Sequence, residues 1–176
     1  RKQLIIAEFG FQDNRSGAMD NPIMETYPYA IWTSAFVIEG LNKGIAGFSI
    51  WCLHEMYYPG GGLMNYGLWD HERNDYRVRP VYYPWAAFCR FTKGGDAVRR
   101  CDSTHPCHVS GAYAGDTLFW VNQSGMTAEV IVTGVTPKTV CVMKEDTLKG
   151  DRECGATVGL KDGRFSAPPM SFGYAR

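Results

Sequence analysis

Two short apolar runs, Leu4-Ile5-Ile6-Ala7-Glu8 and Ile45-Ala46-Gly47-Phe48-Ser49-Ile50-Trp51, constrain this chain more than any other feature. Neither alternates apolar with polar residues, so each fits a strand buried on both faces, as parallel α/β sheets require. Between them a polar, Gly-containing loop leads to Asn21-Pro22, which places Pro at a first helical position. An apolar-periodic stretch then runs from about Ile23 to Leu41 and stops at Asn42-Lys43-Gly44. The order strand, helix, strand is a βαβ unit, and its two strands are parallel with a right-handed crossover.

The stretch from Cys52 to Arg79 is rich in Gly, Tyr, Asn and charge and reads as a long irregular loop, the kind that carries function or moves. Arg79-Pro80 opens a second helix from Val81 to about Phe91, with Tyr82, Trp85, Ala86 and Cys89 or Phe88 at helical spacing toward a sheet; Lys93-Gly94-Gly95-Asp96 ends it. From Val98 the pattern changes to short β-type runs between turn residues: Val109 to Tyr113, Leu118 to Val121, Glu129 to Val132, Thr139 to Met143 and Ala156 to Leu160. A hairpin turn is expected at Lys161-Asp162-Gly163-Arg164, and a strand pair broken by Pro168-Pro169 between Ser166 and Tyr174. The reading is thus α/β followed by an antiparallel β-sandwich, with a division at residues 1–97 and 98–176.

Lys+Arg and Asp+Glu balance at 18 each, so the chain lacks the positive field that nucleic acid or an anionic membrane would call for. No apolar run approaches the roughly 20 residues of a membrane span. Aromatic residues make up 14% of the chain, a supply that serves dense cores and sugar-stacking clefts alike. Six cysteines are present, and Cys101 with Cys107, and Cys141 with Cys154, sit where disulfides would clip loops or strands in an oxidising compartment. Cys52 and Cys89 fit buried thiols equally well. Cys101, His105, Cys107 and His108 are zinc-ligand types, but their spacing matches no usual zinc module. Asn14-Arg15-Ser16 and Asn122-Gln123-Ser124 match the glycosylation acceptor pattern.

In parallel α/β architectures the working groups gather where strands end and loops begin. Glu8 and Trp51 hold that place on the two predicted strands. A carboxylate closing an apolar strand is costly to bury alone, so Glu8 is either solvated, paired with an Arg, or functional. Past the second strand, His54 and Glu55 are able to hydrogen-bond ligand hydroxyls, and Tyr57, Tyr58, Asn65 and Tyr66 to line subsites, since rings stack on apolar ligand faces and amides read hydroxyls. His71-Glu72-Arg73 reads as a solvated turn. Trp32, Trp69, Trp85 and Trp120 read as packing residues.

Three segments carry a resemblance. Ile6-Ala7-Glu8-Phe9-Gly10 resembles the seventh-strand motif of clan A glycoside hydrolases, in which the Glu is the nucleophile; Gly47-Phe48-Ser49-Ile50-Trp51 is similar to their eighth strand, which commonly ends in an aromatic residue that stacks on the sugar. Arg79-Pro80-Val81-Tyr82-Tyr83-Pro84-Trp85-Ala86-Ala87-Phe88 resembles their last barrel helix. The resemblance covers residues 1–97, and trailing sandwiches occur in families 5, 30, 39 and 51 of this clan. It implies the last βα units of a (β/α)8 TIM barrel, a fold that usually takes about 250 residues. It also implies double displacement: Glu8 attacks the anomeric carbon while a second carboxyl group, about 5–5.5 Å away, protonates the leaving oxygen and later activates water. In the clan that acid/base is a Glu following an Asn, and no Asn-Glu dipeptide occurs here. The expected partners are therefore a carbohydrate, and a preceding N-terminal barrel segment or a second chain that supplies the acid. Neither a cofactor nor a metal is implied, and the expected location is outside the cell or in a periplasm. The competing reading is a non-catalytic carbohydrate-binding or interaction module with a structural Glu8.

Overall fold

The computed structural model describes residues 2–135, 137–148, 156–160 and 162–176. The first strand, β1 (Ile5–Phe9), leads through a loop and a 3-10 turn (Pro22–Glu25) into helix α1 (Tyr27–Asn42) and then β2 (Gly47–Ile50). β1 and β2 pair in parallel, as the βαβ pattern requires, with Ile5 opposite Gly47, Ile6 opposite Phe48 and Phe9 opposite Ile50. The helical stretch expected over residues 23–41 is split, because Thr26 is extended (φ −98°, ψ 145°). Pro28 is the cause: it has no N–H for the Met24 carbonyl, and its ring crowds that oxygen, so the helix restarts with Pro28 in its first turn.

The long loop after β2 is more ordered than its composition suggests. It contains a hairpin of β3 (Met56–Tyr58) and β4 (Gly62–Met64), a 3-10 turn (Glu72–Asn74) and then helix α2 (Tyr82–Phe91). Gly60 and Gly62 take positive φ (76° and 87°), which provides the reversal, and flanking strands this short show no alternation in the sequence.

The remaining strands are β5 (Val98–Arg100), β6 (Val109–Ala114), β7 (Thr117–Asn122), β8 (Ala128–Ile131), β9 (Thr139–Met143), β10 (Ala156–Gly159), β11 (Arg164–Ala167) and β12 (Ser171–Ala175). Six of them form an antiparallel sheet in the order β10-β9-β12-β7-β6-β5, and β11 pairs with β8 in a second sheet. The side chains of β7 divide between two cores. Phe119 and Val121 join the helices, while Leu118 and Trp120 face the β8–β11 pair. On the helix side Phe88 meets Phe119 (ring centroids 4.6 Å) and Phe172 (5.2 Å). α1 is tied down at both ends: the Tyr27 hydroxyl donates to the Met143 carbonyl (3.1 Å) and the Asn42 amide to the Gly111 carbonyl (2.9 Å). On the other side Trp120 packs on Phe165 (5.1 Å), and its indole lies over Gly173, where any Cβ would collide with the ring and with the Cys141 carbonyl.

Two expectations are corrected here. Cys101 and Cys107 are not bridged: the Cys101 thiol turns toward the Arg99 carbonyl (4.0 Å), while Cys107 is exposed on a turn closed by the His105 carbonyl. Asn122 is fully buried, and its amide donates to the carbonyls of Met126, Ala167 and Pro168, so it presents no acceptor for a glycan. Asn14 is exposed. The suggested Cys141–Cys154 pair lies outside the described residues, since Cys154 is not among them.

Candidate functional site

The parallel pair has two unlike faces. Phe9 packs against Phe36 (5.1 Å), Phe48 (5.9 Å) and Trp85 (5.7 Å), so Phe9, Phe48 and Ile50 form the side that meets the helices. Between the pairs Ile6–Phe48 and Phe9–Ile50, β1 advances three residues while β2 advances two. Ala7 and Glu8 therefore share the place opposite Ser49, a bulge that turns the carboxylate away from the helix side. Ala7, Glu8 and Ser49 are all exposed. One residue past β2, Trp51 is joined to β1 by its N–H, which donates to the Phe9 carbonyl (3.0 Å). Alternation from Ile50 turns Trp51 to the Ser49 side as well. Its ring Nε1 donates to the Met64 Sδ (3.3 Å), and the peptide to Cys52 is cis. Gly10 carries the chain away through a narrow gap, since a Cβ there would stand 3.1 Å from the Tyr29 hydroxyl and 3.5 Å from the Trp51 carbonyl.

The loops leaving these two strand ends are stitched together. The Asn65 amide donates to Asp20 Oδ1 (3.0 Å), its backbone N–H to the Met19 carbonyl (2.9 Å), and the Tyr66 hydroxyl to the Ala18 carbonyl (3.3 Å). Burial pushes the Tyr66 phenol up, with Asp13 and Asp20 adding to the effect. Tyr57 and Tyr58 are exposed on the hairpin, and Tyr57 meets the His71 ring edge-to-face (5.5 Å). His54 is exposed, with Nδ1 2.7 Å from the Glu55 carbonyl oxygen.

Glu55 is a correction. It is not a surface group that meets sugar hydroxyls: its side chain is 1% exposed and ion-paired with Arg79 Nη2. Arg79, itself buried, also binds Glu25 (2.7 Å) and donates to the Gly67 carbonyl (2.8 Å). Asp70 accepts from the His71 N–H (2.8 Å), Asn74 (2.9 Å) and Arg77 (3.3 Å). Burial works to raise the Asp70 carboxyl, but the hydrogen bonds from Asn74 and the His71 N–H, a hydrogen bond with Glu55 and the Arg79 charge outweigh it and hold it down at about 2. Burial lifts Glu55 above the ordinary carboxylate range, although Arg79 pulls the other way. Such a network is costly to build and more costly to break, and it fixes the loop to the 3-10 turn of Glu25. Sequence reasoning missed Glu25, Asp70 and Arg79; the available signal was charge set among apolar residues, as in Leu68-Trp69-Asp70 and Val78-Arg79-Pro80-Val81.

A cavity of about 920 Å³ opens between residues 99–111 and β8, with Tyr113, Leu118 and Trp120 along it. It belongs to the β8–β11 side of the larger sheet and is lined by no residue of β1 or β2, so strand-end geometry rather than cavity size marks the candidate site. Among the described residues, no three His, Cys, Asp or Glu side chains are grouped to hold a metal ion. None of the described helices is long and apolar enough to cross a membrane.

Comparison with known proteins gives a fold. Neither a family model nor a curated protein sequence matches the chain. Solved structures do match, over nearly all of it. The glycoside hydrolase family 30 subfamily 8 xylanase from Clostridium acetobutylicum is 16% identical over 99% of this chain and 42% of that one, with a TM-score of 0.66. A conserved exported protein from Bacteroides fragilis is 11% identical over 98% of this chain and 38% of that one (TM-score 0.69). The GH39 enzyme from Xanthomonas axonopodis pv. citri is 12% identical over 98% and 44% (TM-score 0.53). This chain shares its fold with part of each. It spans about two fifths of their lengths.

Proposed function

We propose that this chain is the nucleophile-bearing part of a retaining glycoside hydrolase acting on a β-linked polysaccharide or oligosaccharide outside the cell. Residues 1–97 are the last βα units of a (β/α)8 barrel, and residues 98–176 a β-sandwich that braces them. The observation that supports the reading is the register shift opposite Ser49, with Glu8 exposed near the end of one parallel strand and Trp51 directly following the other. The fold shared with an enzyme named as a xylanase supports the substrate class, and the fold shared with a protein named as exported supports the location.

In this mechanism Glu8 attacks the anomeric carbon from one face of the sugar and forms a glycosyl ester, while the leaving oxygen takes a proton from a carboxyl group outside these 176 residues. That group then deprotonates the water that releases the sugar with its anomeric configuration retained. Trp51 offers its ring face to the pyranose in the neighbouring position, and Tyr57, Tyr58, Asn65, Tyr66 and His54 line the approach.

Trapping the ester tests this. The full chain, meaning these residues together with the barrel segment proposed to complete them, incubated with a 2-deoxy-2-fluoro β-glycoside carrying an activated leaving group, is expected to gain one sugar mass on the peptide holding Glu8. A label on another carboxylate, or turnover with inverted configuration, would reject the assignment; binding without label or turnover would favour the non-catalytic module.

A further inference from the structure

We propose that Met64 is a positioning residue for Trp51: its thioether sulfur engages the indole N–H and sets the plane of the ring, so that Trp51 meets a pyranose by its face and not through its N–H. The inference rests on the reading of Trp51 as a sugar-stacking residue and adds a partner that no sequence motif marks. Trp51 Nε1 lies 3.3 Å from Met64 Sδ. An indole has one donor, so a donor spent inward is withdrawn from any ligand. A thioether is a weak acceptor but a polarisable one that packs well against aromatic rings.

Met64 is itself held. It is 8% exposed, pairs across the hairpin with Met56, and precedes two residues anchored to other segments. The Asn65 N–H donates to the Met19 carbonyl (2.9 Å), and the Tyr66 carbonyl accepts from the Cys52 N–H (2.9 Å). The Met64 backbone is thus tied both to the loop leaving β1 and to the residue after Trp51. The sulfur of this buried residue, carried on an anchored backbone, couples the hairpin, which also carries the exposed rings of Tyr57 and Tyr58, to the indole at the strand end.

The test compares Met64→Leu with the parent in the full chain, since Leu keeps the volume and removes the acceptor. The first readout is the indole N–H band in ultraviolet resonance Raman spectra, isolated by subtracting the Trp51→Phe variant. Met64→Leu is expected to move this band to the position of a non-bonded N–H; an unmoved band overturns the proposal, whether or not the protein proves to be a glycosidase. The second readout is kinetic, on aryl β-glycosides and soluble xylan. Loss of one modest hydrogen bond predicts KM raised about 3–10-fold, with a smaller change in kcat. In a Trp51→Ala background the Met64→Leu change is expected to have no further effect, because the two residues act as one. Independent, additive effects would overturn the coupling. Thermal melts of both variants check folding, and Met64→Gln, which restores an acceptor at similar length, should return the Raman band toward the parent position.

Discussion

Two sheets of this molecule, the six-stranded one and the parallel β1–β2 pair, are covered differently. The larger is enclosed over its central strands: Phe119 and Phe172 are buried on the face under the helices, and Trp120 and Val140 on the face under β8 and β11. The parallel pair is covered on one side alone, where Phe9 and Phe48 meet Phe36 and Trp85, while Ala7, Glu8 and Ser49 remain open and Leu4 and Ile5 are 62% and 60% exposed. Apolar burial stabilises whichever face it covers, and a titratable group can work only where it is reached. Under the proposed function the enclosed sheet is the scaffold, and the half-covered pair holds the candidate chemistry.

A paired substitution applies the strongest pressure to that division. Glu8→Gln in the full chain is expected to lower glycoside turnover by about 10³-fold or more while leaving the melting temperature unchanged, since the amide keeps the shape and loses the nucleophile. Phe119→Ala is expected to do the reverse: about 3–5 kcal/mol of stability lost, with turnover per folded molecule retained. Initial rates on aryl β-glycosides and urea unfolding of both variants supply the comparison. Turnover above a few per cent in Glu8→Gln, or a stability cost below about 1 kcal/mol in Phe119→Ala, would erase the distinction.

A smaller effect is expected from pH, at the network that anchors the long loop. The Asp70 carboxyl lies lower in the folded chain, at about 2, than the roughly 3.9 of an unfolded chain. A depressed carboxyl contributes stability that is fully present above the unfolded value and is lost as pH falls through the folded one. Stability should therefore drop between about pH 4 and pH 2, and Asp70→Asn, which removes the titrating group, should flatten that limb while lowering stability near neutrality. Glu55 works oppositely: its raised value means that its contribution is lost as pH rises through the folded value. Chemical unfolding at a series of pH values separates the two. An unchanged acid limb in Asp70→Asn would show that other carboxyls govern it.

Much of the enclosed part was legible in the sequence. The strand expected over Thr139 to Met143 coincides with β9, and those expected near Val109, Leu118 and Glu129 lie within a residue of β6, β7 and β8 at each end. Turn residues and β-branched runs act locally, so local reading finds them. The hairpin of β3 and β4 and the strand β5 escaped because three residues carry no period. The strand-end positions of Glu8 and Trp51 were legible from the apolar runs before them, whereas the burial of Glu55 was not, since its partner Arg79 is 24 residues away and only the folded chain brings them together. Met64 escaped for a similar reason: a methionine in a Gly-rich loop carries no mark of an indole 13 residues back.

The smallest expected effect bears on the open face itself. Ile5 is 60% exposed, lies beside Gly47, and belongs to a strand paired, among the described residues, with β2 alone. In residues 1–176 expressed by themselves, Ile5→Ala should change stability by about 0.5 kcal/mol or less, because little apolar area leaves the protein interior. If further barrel strands cover this face in the full chain, as the proposed fold requires, the same substitution should cost about 2 kcal/mol or more there, the usual loss when a buried Ile is truncated. Urea unfolding of the two pairs gives the difference directly. Equal small costs in both contexts would mean that the face stays open, and the barrel reading of residues 1–97 would fall with it; a large cost in the short piece would mean that β1 is already covered by contacts between copies of the chain, which sedimentation would reveal.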